Sequence, residues 1–595
     1  MSEQTLASVR SSGATAPGRF TFSWDSPIGV ALAFGCLGLA AFGFSDALPA
    51  LIRETAAPRE DNLAFFFLVK QDRWLLLAGF LSLFAASFRL GARDKPLRLG
   101  GGALAGLTVA LLAFCYFGHY FVLSGYDLSR DEQMADFDAA IFAKGRLVQP
   151  LAPLWQAHAQ SLNTLFMPPV SRPTAWVSGY LPMNAALRAL VGFVADPALT
   201  GPILTALGLL ALWKCARLLW PEEREPAIVA ALLYCGSGQI LLSGMTSYAM
   251  TAHMTLNLFW LWLFLLGRRG ADLGALAVAF VATGLHQPLF HPMFAAPFLF
   301  GLLRARAWPR AALYAAGYAA ICAFWLAWPL FVHGLVTGPA SVAAKTGTDY
   351  FTRLMQTMAD FGPASGIVMA ANLFRFFAWQ PVLLLVLMFA AVVLARRERP
   401  TLALAVSAGL PVLVMLVLLA YQGHGFGYRY LQPALGSALL LAAQGWRSLV
   451  KERVWLRALT LRAALIAIFT VLPLQLWFAH DLYAASAQVD ARIKAAKADF
   501  VVIGWRDAPL VGDVVHNRPD LSNRPLRLLA DFLDDDLIGA LCRNGAVAAL
   551  PLNGLYRSLD DYFDAKPESA AEARFPTLAP RLKAAGCAVT RLGGS

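Results

Sequence analysis

Residues 104–132 read LAGLTVALLAFCYFGHYFVLSGYDLSRDE: an apolar run from Leu104 to Val122, a short connection, then Ser129-Arg130-Asp131-Glu132. The run contains no Asp, Glu, Lys or Arg and suits the roughly 20 residues that a helix needs to cross a bilayer. An ionised carboxylate inside lipid is strongly disfavoured. At the water-facing edge it is tolerated and can act on a substrate. The order therefore predicts a membrane-spanning helix followed by a reactive, water-exposed loop. Ser129 to Glu132 also fits a capping box, S-x-x-E. Met134, Phe137 and Ile141 then recur at helical spacing within an amphipathic stretch from Gln133 to Val148, as expected of a helix lying in the interface. Asp131 and Glu132 thus carry two compatible readings: caps for that helix, or a general base that takes a proton from an acceptor.

Composition extends the membrane reading to the whole chain. Of 595 residues, 58% are hydrophobic and 14% charged, against about 25% charged in soluble domains; mean hydropathy is +0.56. Only helical bundles and closed barrels span lipid, and long unbroken apolar runs exclude the barrel's alternation. The net charge of +12 does not point to nucleic acid, because the Lys and Arg residues lie in short loops between apolar runs, as topology signals do. The polar segment from Met1 to Ser26 precedes the first run with no cleavable leader pattern.

About thirteen spans are expected, beginning near Ile28, Trp74, Leu104, Ala198, Ala227, Met250, Leu273, Leu289, Ala311, Ile367, Leu402, Leu431 and Ala463. Every second loop is rich in Lys and Arg: Arg89/Arg93/Lys95/Arg98, Lys214/Arg217, Arg268/Arg269, Arg304/Arg306/Arg310, Arg396/Arg397/Arg399 and Arg447/Lys451/Arg453/Arg457. That alternation places the N-terminus in the cytoplasm and the C-terminus outside. The chain divides into residues 1–122 (cytoplasmic N-terminus and three leading spans), an outside loop over 123–197, a bundle over 198–479 and a soluble α/β domain over 480–595. A second outside segment is expected from about Val336 to Ser365. In the tail, Phe500 to Gly504 and Ala546 to Leu550 read as buried strands, and Leu526 to Leu541 and Ala570 to Ala585 as helices. Cys542 and Cys587 could form a disulfide there or be two buried thiols.

Several other outside residues are site candidates. His253 and Asn257, four apart on one helix face, line a pocket or make an interhelical hydrogen bond. His286 and His291 stand in a proline-broken turn, as phosphate or metal contacts or as packed turn residues. In Gln422-Gly423-His424-Gly425-Phe426-Gly427-Tyr428-Arg429-Tyr430 the alternating glycines let backbone approach a ligand. Arg429 could clamp a lipid phosphate or snorkel to headgroups. Tyr180-Leu181-Pro182 shapes the end of the first outside loop.

The order of these pieces resembles the GT-C superfamily of polyprenol-dependent glycosyltransferases, in its aminoarabinose transferase and protein O-mannosyltransferase branch. The residues that carry the resemblance are Asp131-Glu132, Gly145, Tyr180-Leu181-Pro182 and Arg429-Tyr430-Leu431-Gln432-Pro433, over about Gly125 to Gly445. The chain departs from the pattern in three ways. About three spans precede the acidic loop where one is usual, His253 stands where the family has a second Asp, and His286 where it has Lys. The resemblance implies an all-α polytopic membrane bundle. It also implies transfer of a sugar from a polyprenyl-phosphate donor, with inversion, to a lipid, glycan or protein acceptor at the outer face of a bacterial inner membrane. Asp131 would be the base, with Glu132 orienting it. Arg429, His286 and His291 would hold the donor phosphate, and His253, Asn257, Tyr180, His424 and Tyr430 would line the pocket. A divalent cation is an open expectation. The alternatives are a transporter or lipid flippase, for which the chain lacks an internal repeat, or an inactive GT-C-like subunit.

Overall fold

The computed structural model describes residues 27–55, 62–88, 90, 95–337, 362–418, 422–504, 511–550 and 569–592. The polar N-terminus over 1–26 and most of the expected outside segment between Val336 and Ser365 lie outside these residues.

The bundle is helical throughout. Among the described residues six helices are long and apolar enough to cross a membrane: Gly29–Leu48, Gly101–Phe121 (α1), Pro197–Leu219, Trp308–Thr337, Pro400–Leu418 and Leu456–Lys494. The apolar pair Pro363–Ala378 and Leu383–Leu394 is bent by 110°, a broken span or a re-entrant hairpin, with Pro381, which lacks an N–H, at the break. Other expected spans are shorter helices. The run near Ala227 forms only Glu225–Cys235, and those at Met250, Leu273 and Leu289 form Met250–Leu266, Arg269–Thr283 and Phe290–Arg304.

Between α1 and Pro197 the long connection folds against the bundle. Arg130–Phe142 (α2) starts with Ser129 as N-cap, and the capping box is closed on both sides: the Glu132 amide donates to Ser129 Oγ, and the Ser129 amide to Glu132 Oε2 at 3.2 Å. Met134, Phe137 and Ile141 are buried on one face of α2. A two-residue antiparallel ladder, Gln149–Pro150 with Ala175–Trp176, closes the loop. Met183–Gly192 returns beneath α2 and is tied to it by Arg188, 2.5 Å from Asp136.

The last long helix is longer than a bilayer crossing requires. Its 39 residues extend about 58 Å at roughly 1.5 Å each, nearly twice the hydrocarbon thickness of about 30 Å. Its C-terminal part, ending at Lys494, leads into a small α/β domain. That domain is a parallel sheet of Phe500–Ile503 (β1), Leu526–Leu529 (β2), Val547–Leu550 (β3) and Val589–Arg591 (β4) in the order β2-β1-β3-β4. Val501, Ile503 and Ala548 share an apolar cluster with Val489 and Ile493 of the helix. Phe500, Val502 and Ala549 share another with Leu537, Leu582 and the α2 residues Met134, Phe137 and Ile141.

One expectation for the tail is overturned. Leu526 to Leu541 is not a single helix: Leu526–Leu529 is a strand, and the helix begins at Asp535 and runs to Asn544. Leu-Arg-Leu-Leu has no period that separates helix from strand. Parallel pairing with β1 decides it, with Arg527 buried on Asp490 at 2.6 Å. Residues Ser569–Ala584 are helical as expected. Cys542 and Cys587 are disulfide-bonded, Cα to Cα 4.7 Å, which settles that pair as a bridge rather than two thiols.

Candidate active site

Asp131 lies in the first turn of α2 and faces a narrow cleft of about 20 Å³ at one end of the bundle. Helical geometry fixes what else faces it. Ala135 and Asp138, four and seven residues on, share its side of α2 and also line the cleft. Across from them stand Ser178, Tyr180 and Asn184 from the loop, Tyr248 and Met250 at the start of Met250–Leu266, His286 from the proline turn, and Arg429.

The centre is an ion pair. Arg429 Nη2 is 2.5 Å from Asp131 Oδ2, and the Tyr180 hydroxyl donates to Oδ1 of the same carboxylate. The side chains of Arg429 and Asp131 are 9% and 13% exposed, so the pair is shielded from water yet opens to the cleft. The guanidinium is sandwiched by two rings, 4.7 Å from the centre of Tyr248 and 5.4 Å from that of Tyr430, as cation–π attraction favours. Arg429 Nε is buried and has no hydrogen-bond partner among the described residues.

The glycine turn makes this placement possible. Gly425 and Gly427 have φ of +139° and +62°, conformations that strain side-chain-bearing residues. A Cβ on Gly427 would stand 2.5 Å from Gln239 Oε1, and one on Gly425 3.2 Å from Arg429 Cδ. Gln422 accepts from the Arg429 amide at 2.7 Å and donates to Gly427 O at 2.7 Å, closing the turn on itself. Arg375 donates to Gly425 O at 3.1 Å while bound to buried Asp72 at 2.7 Å.

Charge states follow from these contacts. Burial works to raise the Asp131 pKa, but Arg429, then His286 and the Tyr180 hydrogen bond outweigh it and hold the carboxyl below the usual range. Asp131 is therefore an anion at neutral pH. Burial pushes His286 down to about 4 against the pull of Asp131, so it faces the cleft as a neutral imidazole; its ring lies 4.4 Å from that of Tyr180. Burial pushes Asp138 up to about 7. Asp138 accepts from the Ser178 amide at 2.9 Å and its hydroxyl at 2.5 Å, and Ser178 Oγ in turn receives the Tyr180 amide at 3.3 Å. One face of α2 thus holds Asp131 and also anchors the turn that delivers Tyr180 to it.

Of the residues singled out in the sequence, Asp131, Tyr180, His286 and Arg429 meet at the cleft; the others do not line it. Glu132 is fully buried. Its two oxygens take the Tyr483 hydroxyl at 3.1 Å and the Ser129 amide at 3.2 Å, and burial pushes it up to about 7. His291, expected as a phosphate contact, does not line the cleft. Its two ring nitrogens meet Asn257 Oδ1 at 2.7 Å and the Tyr318 hydroxyl at 2.8 Å, and Asn257 donates to Pro433 O at 2.8 Å. That chain braces three helices against the segment after Arg429. His253 is fully buried, packed on Phe290 at 5.3 Å. Tyr430 stacks on Phe290 at 6.0 Å, and His424 turns toward the soluble domain. Asp138 and Ser178 were not singled out, although the seven-residue step from Asp131 to Asp138 signals a shared helix face. Among the described residues no group of three or more His, Cys, Asp or Glu side chains is arranged to hold a metal ion.

A second cavity, of about 310 Å³, opens against the helix pair Pro363–Ala378 and Leu383–Leu394. It is walled by apolar side chains including Phe376, Phe377, Met388, Phe389 and Val412, and reaches Leu431, two residues beyond Arg429.

Comparison with known proteins gives one kind of match. Its structural neighbours include ArnT. The crystal structure of ArnT from Cupriavidus metallidurans bound to undecaprenyl phosphate is similar at 14% identity, over 72% of this chain and 86% of that one, with a TM-score of 0.48. ArnT from the same organism in the apo state is similar at 14% identity, over 70% and 85%, with a TM-score of 0.41. No family model matches the chain, and no curated protein matches it.

Proposed function

We propose that this chain is a membrane glycosyltransferase that moves a sugar from a polyprenyl-phosphate carrier to an acceptor hydroxyl or amine on the extracytoplasmic side. One observation carries the reading. An ionised carboxylate and a guanidinium share the wall of a cleft at one end of an apolar bundle, and a separate apolar groove includes Leu431, two residues after Arg429 in the chain. A donor with a phosphate head and a long hydrocarbon tail fits both parts at once.

In this reading the tail lies in the groove and the phosphate meets the Arg429 guanidinium where it lines the cleft, with His286 adding a neutral N–H. Asp131 takes the acceptor's proton as the acceptor oxygen or nitrogen bonds to the anomeric carbon. The bond from that carbon to the phosphate oxygen breaks, and the electron pair leaves with the polyprenyl phosphate. Arg429 stabilises the charge that grows there. Displacement from the opposite face inverts the anomeric centre. Glu132, held by Tyr483 and the capping box, fixes the start of α2. The side chains around Asp131 do not fit a divalent cation, and no step is routed through one. About thirteen passages, an inner-membrane location and an outside C-terminus complete the proposal; the Cys542–Cys587 bridge supports the last, since disulfides persist in oxidising compartments.

The test is transfer or hydrolysis by purified protein offered a panel of undecaprenyl-phosphate sugars. Wild type should release undecaprenyl phosphate, and Asp131→Asn should lose roughly 10²–10⁴-fold in rate while still folding. Movement of lipid across vesicles without cleavage of any donor would sink the proposal.

A further inference from the structure

The soluble domain touches the active-site scaffold at a point the proposed reaction leaves unused. Its contact is Asp513, in the short turn Val511–Val514. Asp513 Oδ1 accepts the Arg130 amide at 3.2 Å, Oδ2 meets His424 Nε2 at 3.2 Å, and the main-chain oxygen accepts the Gln133 side chain at 2.7 Å. Arg130 immediately precedes Asp131, and His424 sits in the glycine turn that presents Arg429. One carboxylate from a separate domain therefore spans the two segments that supply the halves of the ion pair.

The turn that carries Asp513 is itself held from two sides. Asn163 of the outside loop donates to Gly512 O at 2.6 Å and Val515 O at 3.0 Å. Arg527 of β2 donates to Val514 O at 3.0 Å and to Asp490 of the long helix at 2.6 Å. A first-turn amide of a helix has no partner within the helix, so the bond from Arg130 N fixes the start of α2 without competing with its own ladder. Farther out, Lys144 and Asp520 pair at 2.7 Å across the same interface, with the Lys144 side chain 52% exposed.

We propose that Asp513 is a positioning residue for sugar transfer: it sets the register of Asp131 against Arg429 and makes the soluble domain an obligatory part of the active site. The inference rests on the cleft being a sugar-transfer site. A misplacement of about 1 Å can reduce a rate by about 10²-fold, so a small loss of register has a large readout.

The experiment compares full-length wild type with Asp513→Ala, Asp513→Asn and Asp520→Ala. One arm measures kcat and KM on whichever undecaprenyl-phosphate sugar wild type cleaves. The other measures amide hydrogen exchange over residues 129–133 and 423–429 with no donor present. Asp513→Ala should lower kcat by roughly 10²-fold with KM little changed, and should speed exchange in both segments. Asp513→Asn keeps an acceptor for the Arg130 amide and should recover most of the loss, while Asp520→Ala should match wild type in both arms. Wild-type kcat in Asp513→Ala, a loss confined to KM, or unchanged exchange would each overturn the inference. If Asp513→Ala does not fold, Asp513→Asn decides: no activity and wild-type exchange in it refute the role. If wild type cleaves no donor, the functional reading fails by itself, and the exchange arm still decides whether Asp513 orders both segments.

Discussion

Tyr180→Phe isolates one hydrogen bond at the centre of the site. Its ring packs against His286 at 4.4 Å and Phe166 at 5.6 Å, and Phe keeps both contacts. Only the donor to Asp131 is lost. A hydrogen bond to a charged group is worth about 1.5–3 kcal/mol, and one pKa unit corresponds to about 1.36 kcal/mol. The Asp131 pKa should therefore rise by about one to two units, still held down by Arg429 at 2.5 Å. Asp131 acts as the carboxylate, so the acid limb of kcat/KM moves to higher pH by that amount, while the rate near neutral pH falls little. Stability follows the same sign. The depressed folded pKa stabilises above the unfolded value of about 3.9 and is lost as pH falls through the folded one, so wild type and variant should converge in acid. The assay is a pH–rate profile on a cleaved undecaprenyl-phosphate sugar beside thermal unfolding over the same range. An acid limb that stays in place or moves down would refute the assignment of Asp131 as the base.

Glu132→Gln should keep the fold, because the amide oxygen can still accept from Ser129 and Tyr483. Burial holds the wild-type group at about 7, above its unfolded value, so wild type has that stability below the unfolded pKa and loses it, by roughly 3 kcal/mol, as pH rises through 7. Thermal unfolding in detergent across that window should be flatter for Gln, and a slope as steep as wild type's would count against the buried protonated state. Nothing lies within 4 Å of a Cβ built on Gly409, which lines the apolar groove, so Gly409→Leu should fold normally, raise KM for a full-length polyprenyl donor and spare a short-chain analogue. An equal effect on both chain lengths would remove the tail from the groove. Replacing Cys542 and Cys587 by Ser opens a bridge with a separation of 45 residues and should destabilise the soluble domain by about 4 kcal/mol; calorimetry showing no loss would contradict that.

Much of the site was legible because its signals are local. The step from the apolar run ending at Val122 to Ser129-Arg130-Asp131-Glu132 marks the end of an apolar helix, a helix cap and an acidic pair within eleven residues. The glycines around His424 mark a turn that brings Arg429 close to other chain segments. Partner choice among the histidines was not legible. His286 and His291 stand five apart in the chain, yet His286 lies in the turn and faces the cleft, while His291 lies in the first turn of Phe290–Arg304 and is bonded to Asn257 and Tyr318. Where the helix begins, together with what packs on each side, separates them, and no local pattern encodes the packing.

By itself the sequence determined the helical membrane class, the capping of α2 and the presence of strands in the C-terminal region, because hydropathy, S-x-x-E spacing and buried strand runs act over a few residues. Only the tertiary structure decided that Leu526–Leu529 is a strand, that Glu132 turns inward to Tyr483 while Asp131 faces Arg429, and that Asp513 reaches the start of α2 across 383 residues of chain. Those outcomes depend on which surfaces are left to be covered once the helices pack, and that is a property of the assembled bundle.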